Sequence, residues 1–101
     1  MLRHISIFTL KDKKEIGNLI ELLNDVGSNC NLILNSQVGT NITKVELDGN
    51  GPDFGDVIQI IDFKNHDDLN AYPTSKEHLN LFENGPEMIK VTAIDYEFMD
   101  D

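Results

Sequence analysis

The stretch LRHISIFTL, residues 2–10, decides the fold class of this chain. Its side chains alternate between two faces, of which one carries Leu2, His4, Ser6, Phe8 and Leu10 and the other carries Arg3, Ile5, Ile7 and Thr9. Large apolar side chains occur on both faces, which is typical of a strand that is covered on both sides. The stretch therefore predicts a strand in the interior of a layered domain.

Hydrophobic spacing and turn residues predict five further elements along the chain. The first is a helix whose apolar stripe runs from Ile16 to Val26 and which residues 27–29 end. The others are a strand at 36–42 within the segment 32–42, a strand at 56–63, a helical segment that is capped at Asn65 or Asp67, broken at Pro73, restarted at Thr74 or Ser75 and stopped at 84–86, and a strand at 88–98. Gly39 predicts a bulge or a close backbone approach in the second strand. Residues 43–55 are ambiguous, since 44–47 can extend that strand while 48–52 form a turn. Residues 98–101 are expected to fray.

The order of these elements, β-α-β-β-α-β, predicts the ferredoxin-like motif of the α+β class. We expect one domain over residues 1–101, with a four-stranded antiparallel sheet and two helices on one face. Two helices can cover only one face, yet the strands are apolar on both. The open face is therefore expected to pack on a second copy of the same sheet, which makes the protein a homodimer.

Charge and cysteine content limit the expected binding partners and the expected cellular location. Eight basic and eighteen acidic residues give a net charge of −10, which argues against binding to nucleic acid or to an anionic membrane. The single cysteine, Cys30, cannot form an intrachain disulfide, so a cytoplasmic location is the default. We expect Cys30 to be a small half-buried connector residue, the alternative being a reactive thiol. No apolar run approaches the roughly 20 residues that span a bilayer.

Three residues can form an acid/base site if the fold brings them together: His4, Tyr72 and His78. An imidazole exchanges protons near neutral pH, and a phenol can donate a hydrogen bond to a carbonyl as negative charge develops. We assign His78 as base, Tyr72 as donor and His4 as the group that orients His78 or binds a second oxygen, with no cofactor. The structural alternative is that His4 and Tyr72 are core residues with satisfied polar tips.

An apolar lining is expected around these three residues. The candidates are Phe8, Ile20, Leu23, Ile61 and Phe82. The sequence does not separate residues that line a pocket from residues that fill the core.

Other kinds of site are poorly supported. His66, Asp67 and Asp68 are adjacent, but their spacing is that of a solvated helix start, so no metal site is predicted. No serine lies in a Gly-x-Ser-x-Gly elbow, and Gly49-Asn50-Gly51 lacks the lysine and helix start of a phosphate loop.

Four segments resemble the stress-responsive A/B barrel domain family. They are the opening MLRHISIFTLK at 1–11, VGTNI at 38–42, the strand region at 54–63, and DDLNAY at 67–72 followed by His78. The resemblance covers nearly the whole chain in register. It departs from the family's pattern at Ser75 and Lys76, which replace a His-Pro pair, and at Pro73, which follows the tyrosine directly.

The resemblance implies a homodimeric α+β barrel with a pocket between sheet and helices in each protomer. Relatives of this architecture include polyketide cyclases, small monooxygenases and lactone isomerases. In cyclase-type members a first-strand histidine, a tyrosine and a later histidine surround the substrate, and these positions correspond to His4, Tyr72 and His78. The expected function is cofactorless chemistry on a small carbonyl compound, and the alternative is a non-catalytic, stress-related binding or structural dimer module.

Overall fold

The computed structural model describes residues 1–43 and 55–99 and confirms the predicted order of strands and helices. The elements are β1 at Leu2–Leu10, α1 at Ile16–Asn29, β2 at Ile33–Thr40, β3 at Val57–Phe63, α2 at His66–Ala71, α3 at Lys76–Asn84 and β4 at Met88–Glu97, with short 3-10 turns at Lys13–Glu15 and Tyr72–Thr74. The predicted strand extension at 44–47, the turn at 48–52 and the end of the tail at 100–101 lie outside the described residues.

The four strands form one antiparallel sheet in the order β2-β3-β1-β4. β1 is central, because it pairs with β3 along one side and with β4 along the other. The register places His4 opposite Ile61 on β3 and opposite Asp95 on β4. Residues that face each other across antiparallel strands share a face of the sheet, so these three side chains lie on the same side.

The buried core lies between this face and the helices. It consists of Leu2, Phe8, Leu10, Leu19, Leu23, Val26, Cys30, Val57, Ile61, Phe63, Tyr72 and Leu81. α1 packs on β2 and β3, and α3 packs against α1. The side chains of β4 beyond Met88 are exposed over the whole strand. The two helices therefore lie on one face, as predicted, and leave its β4 side uncovered.

Local capping explains how the second helical segment is divided. The Asn65 side chain accepts a hydrogen bond from the backbone of Asp68 at 2.9 Å and caps α2. Pro73 occupies the 3-10 turn that follows, where its missing N–H costs little. Ser75 then accepts from the backbone of His78 at 3.2 Å and caps α3. Of the alternative caps, the structure thus uses Asn65 and Ser75.

The helix end predicted at residues 27–29 is confirmed, since α1 ends at Asn29. Two other details of the sequence prediction are wrong. β2 starts at Ile33 instead of residue 36, because its register shifts between Ile33 and Asn35 and this irregularity keeps Ile33 paired with Phe63. Gly39 marks neither the irregularity nor a close approach, since a Cβ there would meet nothing within 4 Å.

Among the described residues, no helix combines the length and the apolar character needed to cross a bilayer.

Two glycines of α1 provide a matched test of this packing. A Cβ at Gly27 would lie 2.6 Å from the Cβ of Ser36 on β2, whereas a Cβ at Gly17 would meet nothing within 4 Å. We expect Gly27→Ala to lower the free energy of unfolding by about 1–3 kcal/mol, because the helix must move away from the strand. We expect Gly17→Ala to raise it by about 0.5–1 kcal/mol through helix propensity.

Urea unfolding followed by circular dichroism measures both changes. Equal effects of the two substitutions would contradict the close approach of α1 to β2.

Candidate functional site

The fold brings the three candidate residues together. The ring of Tyr72 lies 6.0 Å from that of His4 and 4.8 Å from that of His78, and His78 in turn lies 4.8 Å from Phe82, all measured between ring centroids. His4 comes from β1, Tyr72 from the turn after α2, and His78 from the first turn of α3. These four rings, called the ring ladder below, cross from the sheet to the edge of α3.

The protonated nitrogen of His78 is identified by its backbone partner. Its Nδ1 lies 3.0 Å from the carbonyl oxygen of Pro73. A carbonyl can only accept a hydrogen bond, so Nδ1 donates and the neutral ring leaves its Nε2 lone pair free. The proline that follows Tyr72 therefore supplies the carbonyl that selects the tautomer of His78.

The surroundings of His78 favour its neutral form. Partial burial lowers the pKa of His78 below its ordinary value of 6.5, the Pro73 carbonyl raises it, and the nearby His4 lowers it again. Burial is the largest of these effects. The ring is thus held as a neutral base in the pH range where an ordinary histidine takes up a proton.

Tyr72 is a buried donor without a hydrogen-bond partner. It is 2% exposed, and burial raises the pKa of its hydroxyl to about 12, with the Gln59 side chain acting in the opposite direction. Neither the Tyr72 hydroxyl nor Gln59 Nε2 has a partner of acceptable geometry among the described residues. The hydroxyl therefore stays protonated near neutral pH and is available to an acceptor oxygen of a ligand.

His4 does not make the contact with His78 that one of its two predicted roles requires. Its Nδ1 lies 2.5 Å from Asp95 Oδ1, and its Nε2 lies 2.8 Å from the hydroxyl of Ser6. With both nitrogens held in this way, His4 is not hydrogen-bonded to His78 and does not orient it. Its polar tips are satisfied within the sheet, as the structural alternative for His4 predicts.

The expected lining residues divide into two groups. Phe8, Leu23 and Ile61 are core residues with at most 3% exposure, and Ile20 packs partly buried against them. Phe82 is 59% exposed and extends the ring ladder beyond His78. Phe82 thus contacts the candidate site directly, whereas the core residues support it from below.

Sequence reasoning missed three polar residues near the site: Ser6, Gln59 and Asp95. Ser6 lies two residues after His4, so the alternation of β1 is enough to place both side chains on one face. Gln59 interrupts the apolar alternation of β3, which is a detectable signal. Asp95 could not be assigned without the pairing of β1 with β4.

The described residues contain no group of three histidine, cysteine, aspartate or glutamate side chains that could hold a metal ion. His66, one candidate ligand, lies 3.7 Å from Glu97 instead.

Open clefts lie elsewhere on the surface, and one of about 510 Å³ is formed by residues 11–15 and 86–87.

Comparison with known proteins gives a match over nearly the whole chain. A family model described as "Stress responsive A/B Barrel Domain" matches residues 2–98. A search of curated proteins found no match. The fold, in contrast, has many solved counterparts.

Three solved structures illustrate this likeness. A dimeric protein of unknown function and ferredoxin-like fold from Bacteroides fragilis is 24% identical, with 96% of this chain and 95% of that chain covered and a TM-score of 0.73. A Dabb family protein with a ferredoxin-like fold from Mesorhizobium loti is 18% identical over 98% and 97%, with a TM-score of 0.75. A hydroxynitrile lyase from Passiflora edulis is 17% identical over 99% and 94%, with a TM-score of 0.76. At these identities the likeness is one of fold.

The lowered pKa of His78 predicts a dependence of stability on pH. The unfolded chain binds a proton at this residue near pH 6.5, whereas the folded chain binds it only at lower pH. The contribution to stability is therefore fully present above about pH 6.5 and is lost as the pH falls through the folded pKa. We expect His78→Gln to reduce the loss of unfolding free energy between about pH 7.5 and 5.5, as measured by urea unfolding.

His66→Gln is the control, because the His66 side chain is 71% exposed. That variant should keep the wild-type difference between the two pH values. If His78→Gln also kept it, the burial of a neutral His78 would be contradicted.

Proposed function

The chain belongs to the stress-responsive A/B barrel domain family, and from that premise we propose a homodimeric protein that performs cofactorless acid–base chemistry on a small carbonyl compound. The observation that carries the proposal is the contact between His78 and Tyr72, whose rings lie 4.8 Å apart. One of them offers a free basic nitrogen and the other an unpartnered hydroxyl. The two protonation states are complementary, as a base and a hydrogen-bond donor require.

The proposed step is the removal of a proton from the carbon next to a carbonyl group. Nε2 of His78 takes this proton, while the hydroxyl of Tyr72 donates a hydrogen bond to the carbonyl oxygen as it gains charge. With a pKa of about 12, the hydroxyl remains a donor throughout the cycle. Gln59 Nε2, buried and also unpartnered, can donate a second hydrogen bond to the same oxygen.

The electrostatics and the lining favour a neutral, partly apolar substrate. Phe82 exposes an aromatic face beside His78, and the core below the ring ladder is apolar. The net charge of −10 disfavours anionic substrates at long range. Enolisation, isomerisation or condensation of a small ketone or lactone fits these constraints.

Exchange of carbon-bound hydrogen for deuterium tests this step without knowledge of the natural substrate. Small ketones, lactones and one cyanohydrin are incubated with the protein in D₂O and followed by proton NMR; the cyanohydrin is included because one structural neighbour is a hydroxynitrile lyase. For a substrate found in this way, we expect His78→Ala to lower the exchange or cleavage rate by about 10²–10⁴-fold. We expect Tyr72→Phe to lower it by about 10²–10³-fold.

His66→Ala is the matched control, since it removes an exposed histidine that is not part of the ring ladder. Its rate should equal that of the wild type. A rate unchanged by His78→Ala would refute the assignment of the base. A protein that accelerates none of these substrates would favour the non-catalytic dimer module.

The homodimer is proposed from the face of the sheet opposite the helices. Ile5 and Ile7 on β1 and Ile58 and Ile60 on β3 are only partly buried there, and Ile94 on β4 is 63% exposed. Solved structures of similar fold from Bacteroides fragilis and Thermobifida fusca are described as dimeric. A second sheet packed on this face would remove these isoleucines from water.

An ion pair lies at one end of this apolar face. Among the described residues there, Arg3 Nε and Nη2 donate to the two carboxylate oxygens of Asp62 at 2.7 and 3.1 Å, and Asn35 adds a longer contact. This pairing holds the pKa of Asp62 below its ordinary value. Because the ion pair is bidentate, it can be covered by a partner without leaving a lone buried charge.

Sedimentation at micromolar concentration should show about twice the monomer mass of 11.4 kDa. We expect Ile94→Asp to shift the protein to monomer, because it places a charge on the open face. Val91→Asp is the control: Val91 lies on the same strand, is also exposed at 39%, and faces the helix side through its pairing with Phe8. A wild-type monomer, or a dimer that Ile94→Asp leaves intact, would contradict this interface.

A further inference from the structure

We propose that Ser6 is the nucleophile of an acyl-transfer site, activated by His4 and Asp95, which cleaves neutral esters with a short apolar acyl group. The proposal goes beyond the acid–base chemistry assigned to His78 and does not depend on it. It rests on hydrogen bonds within β1 and between β1 and β4, on the strand register, and on two buried donors, of which one is the β3 partner of Ser6 and the other lies near that partner.

Ser6, His4 and Asp95 form one continuous hydrogen-bonded chain. Asp95 Oδ1 lies 2.5 Å from His4 Nδ1, and His4 Nε2 lies 2.8 Å from Ser6 Oγ. A carboxylate only accepts, so the neutral ring carries its proton on Nδ1 and offers the Nε2 lone pair to the hydroxyl of Ser6. In serine–histidine–aspartate triads the hydrogen bonds run in the same direction: the aspartate orients the histidine, and the histidine activates the serine. Such triads occur on unrelated folds.

The pairing of β1 with β4 places the three hydrogen-bonded side chains next to one another. His4 and Ser6 are two residues apart on β1 and therefore share a face. Asp95 is the direct partner of His4 on β4, so its carboxylate needs no loop to reach the ring. Groups held on strands in this way are positioned more firmly than groups on loops.

Two unpartnered donors complete the site. Gln59 is the direct partner of Ser6 on β3 and is 1% exposed, and its Nε2 has no hydrogen-bond partner of acceptable geometry among residues 1–43 and 55–99. The same holds for the hydroxyl of Tyr72, which lies near enough to Gln59 for the Gln59 side chain to lower the pKa of Tyr72. Buried donors in this state are rare in proteins. An oxygen that becomes negatively charged beside Ser6 would accept from both of them, as in an oxyanion hole.

The uncovered side of β4 provides the approach for a substrate. The β3 partner of Ser6 is buried, whereas its β4 partner, Ala93, is exposed on the same face. Val91 follows on that face and is 39% exposed. Ser6, itself 4% exposed, thus lies at the border between the covered and uncovered halves, where a short apolar acyl chain can rest on Val91 and Ala93.

The reaction is balanced without a cofactor. Ser6 Oγ forms a bond to the acyl carbon while its proton moves to His4 Nε2, and the carbonyl electron pair moves to the oxygen held by Gln59 and Tyr72. The bond from carbon to the leaving oxygen then breaks, and the alcohol departs with the proton from His4. Water attacks the acyl-serine with the same proton transfers, which releases a carboxylic acid and restores Ser6.

The test uses p-nitrophenyl butyrate as substrate and a fluorophosphonate as a serine-directed covalent probe, both with the full chain. We expect hydrolysis above the background, and a single adduct that peptide mass spectrometry locates on Ser6. Ser6→Ala should abolish the adduct and lower the rate by more than about 10³-fold, and Asp95→Asn should slow acylation by more than about 10²-fold. Gln59→Leu should slow it by about 10²-fold.

Ser28→Ala, a change at an exposed serine of α1, is the matched control and should leave adduct and rate unchanged. His78→Ala should also keep the adduct, which separates this site from the proposed acid–base function. If Ser6→Ala does not fold, the location of the wild-type adduct and the effect of Asp95→Asn on the acylation rate test the assignment of Ser6 as the nucleophile. An adduct on another residue, no adduct at all, or a rate unchanged by Asp95→Asn would overturn the proposal.

Discussion

β1 pairs with β3 along one side and with β4 along the other, and this double pairing determines which of its side chains face the helices. Because the side-chain period of a strand is two, a shift of one residue would exchange its two faces. In the observed register Phe8 and Leu10 are buried in the core, and His4 stands between Ile61 and Asp95. The core, the candidate site and the open face all depend on this alignment.

The second constraint is the incomplete cover of the sheet. The helices pack on β2 and β3, and the polar groups of the site stand where this cover ends. The Tyr72 hydroxyl and Gln59 Nε2 lie inside the border and are buried without a hydrogen-bond partner in the part of the chain that the structure describes, which costs free energy unless a ligand or a water supplies an acceptor. Asp95 lies outside it, with its side chain 51% exposed. Buried donor groups and a solvent-exposed carboxylate therefore lie close together at this border of the sheet.

Most of the fold was predictable from local patterns, and part of the site was not. The alternation of residues 2–10, the helical spacing from Ile16 to Val26 and the break at Pro73 each follow from local chemistry, and all of them are found in the structure. The register shift in β2 was not predictable, because only pairing with Phe63 reveals it. The hydrogen bond between His4 and Asp95 was not predictable for the same reason, since the two residues are 91 positions apart in the chain.

The nine residues of β1 contribute side chains to both faces of the sheet, and the two faces have different roles. Its even-numbered side chains meet the helices and the polar site, while Arg3, Ile5 and Ile7 form part of the opposite face. In the proposed dimer, substitutions at odd positions would therefore alter which chain this one associates with and leave the side chains at even positions in place. Gene duplication followed by drift on the odd set alone would produce sister proteins that no longer mix. An engineer can use the same separation to build heterodimers whose two halves carry different reactions.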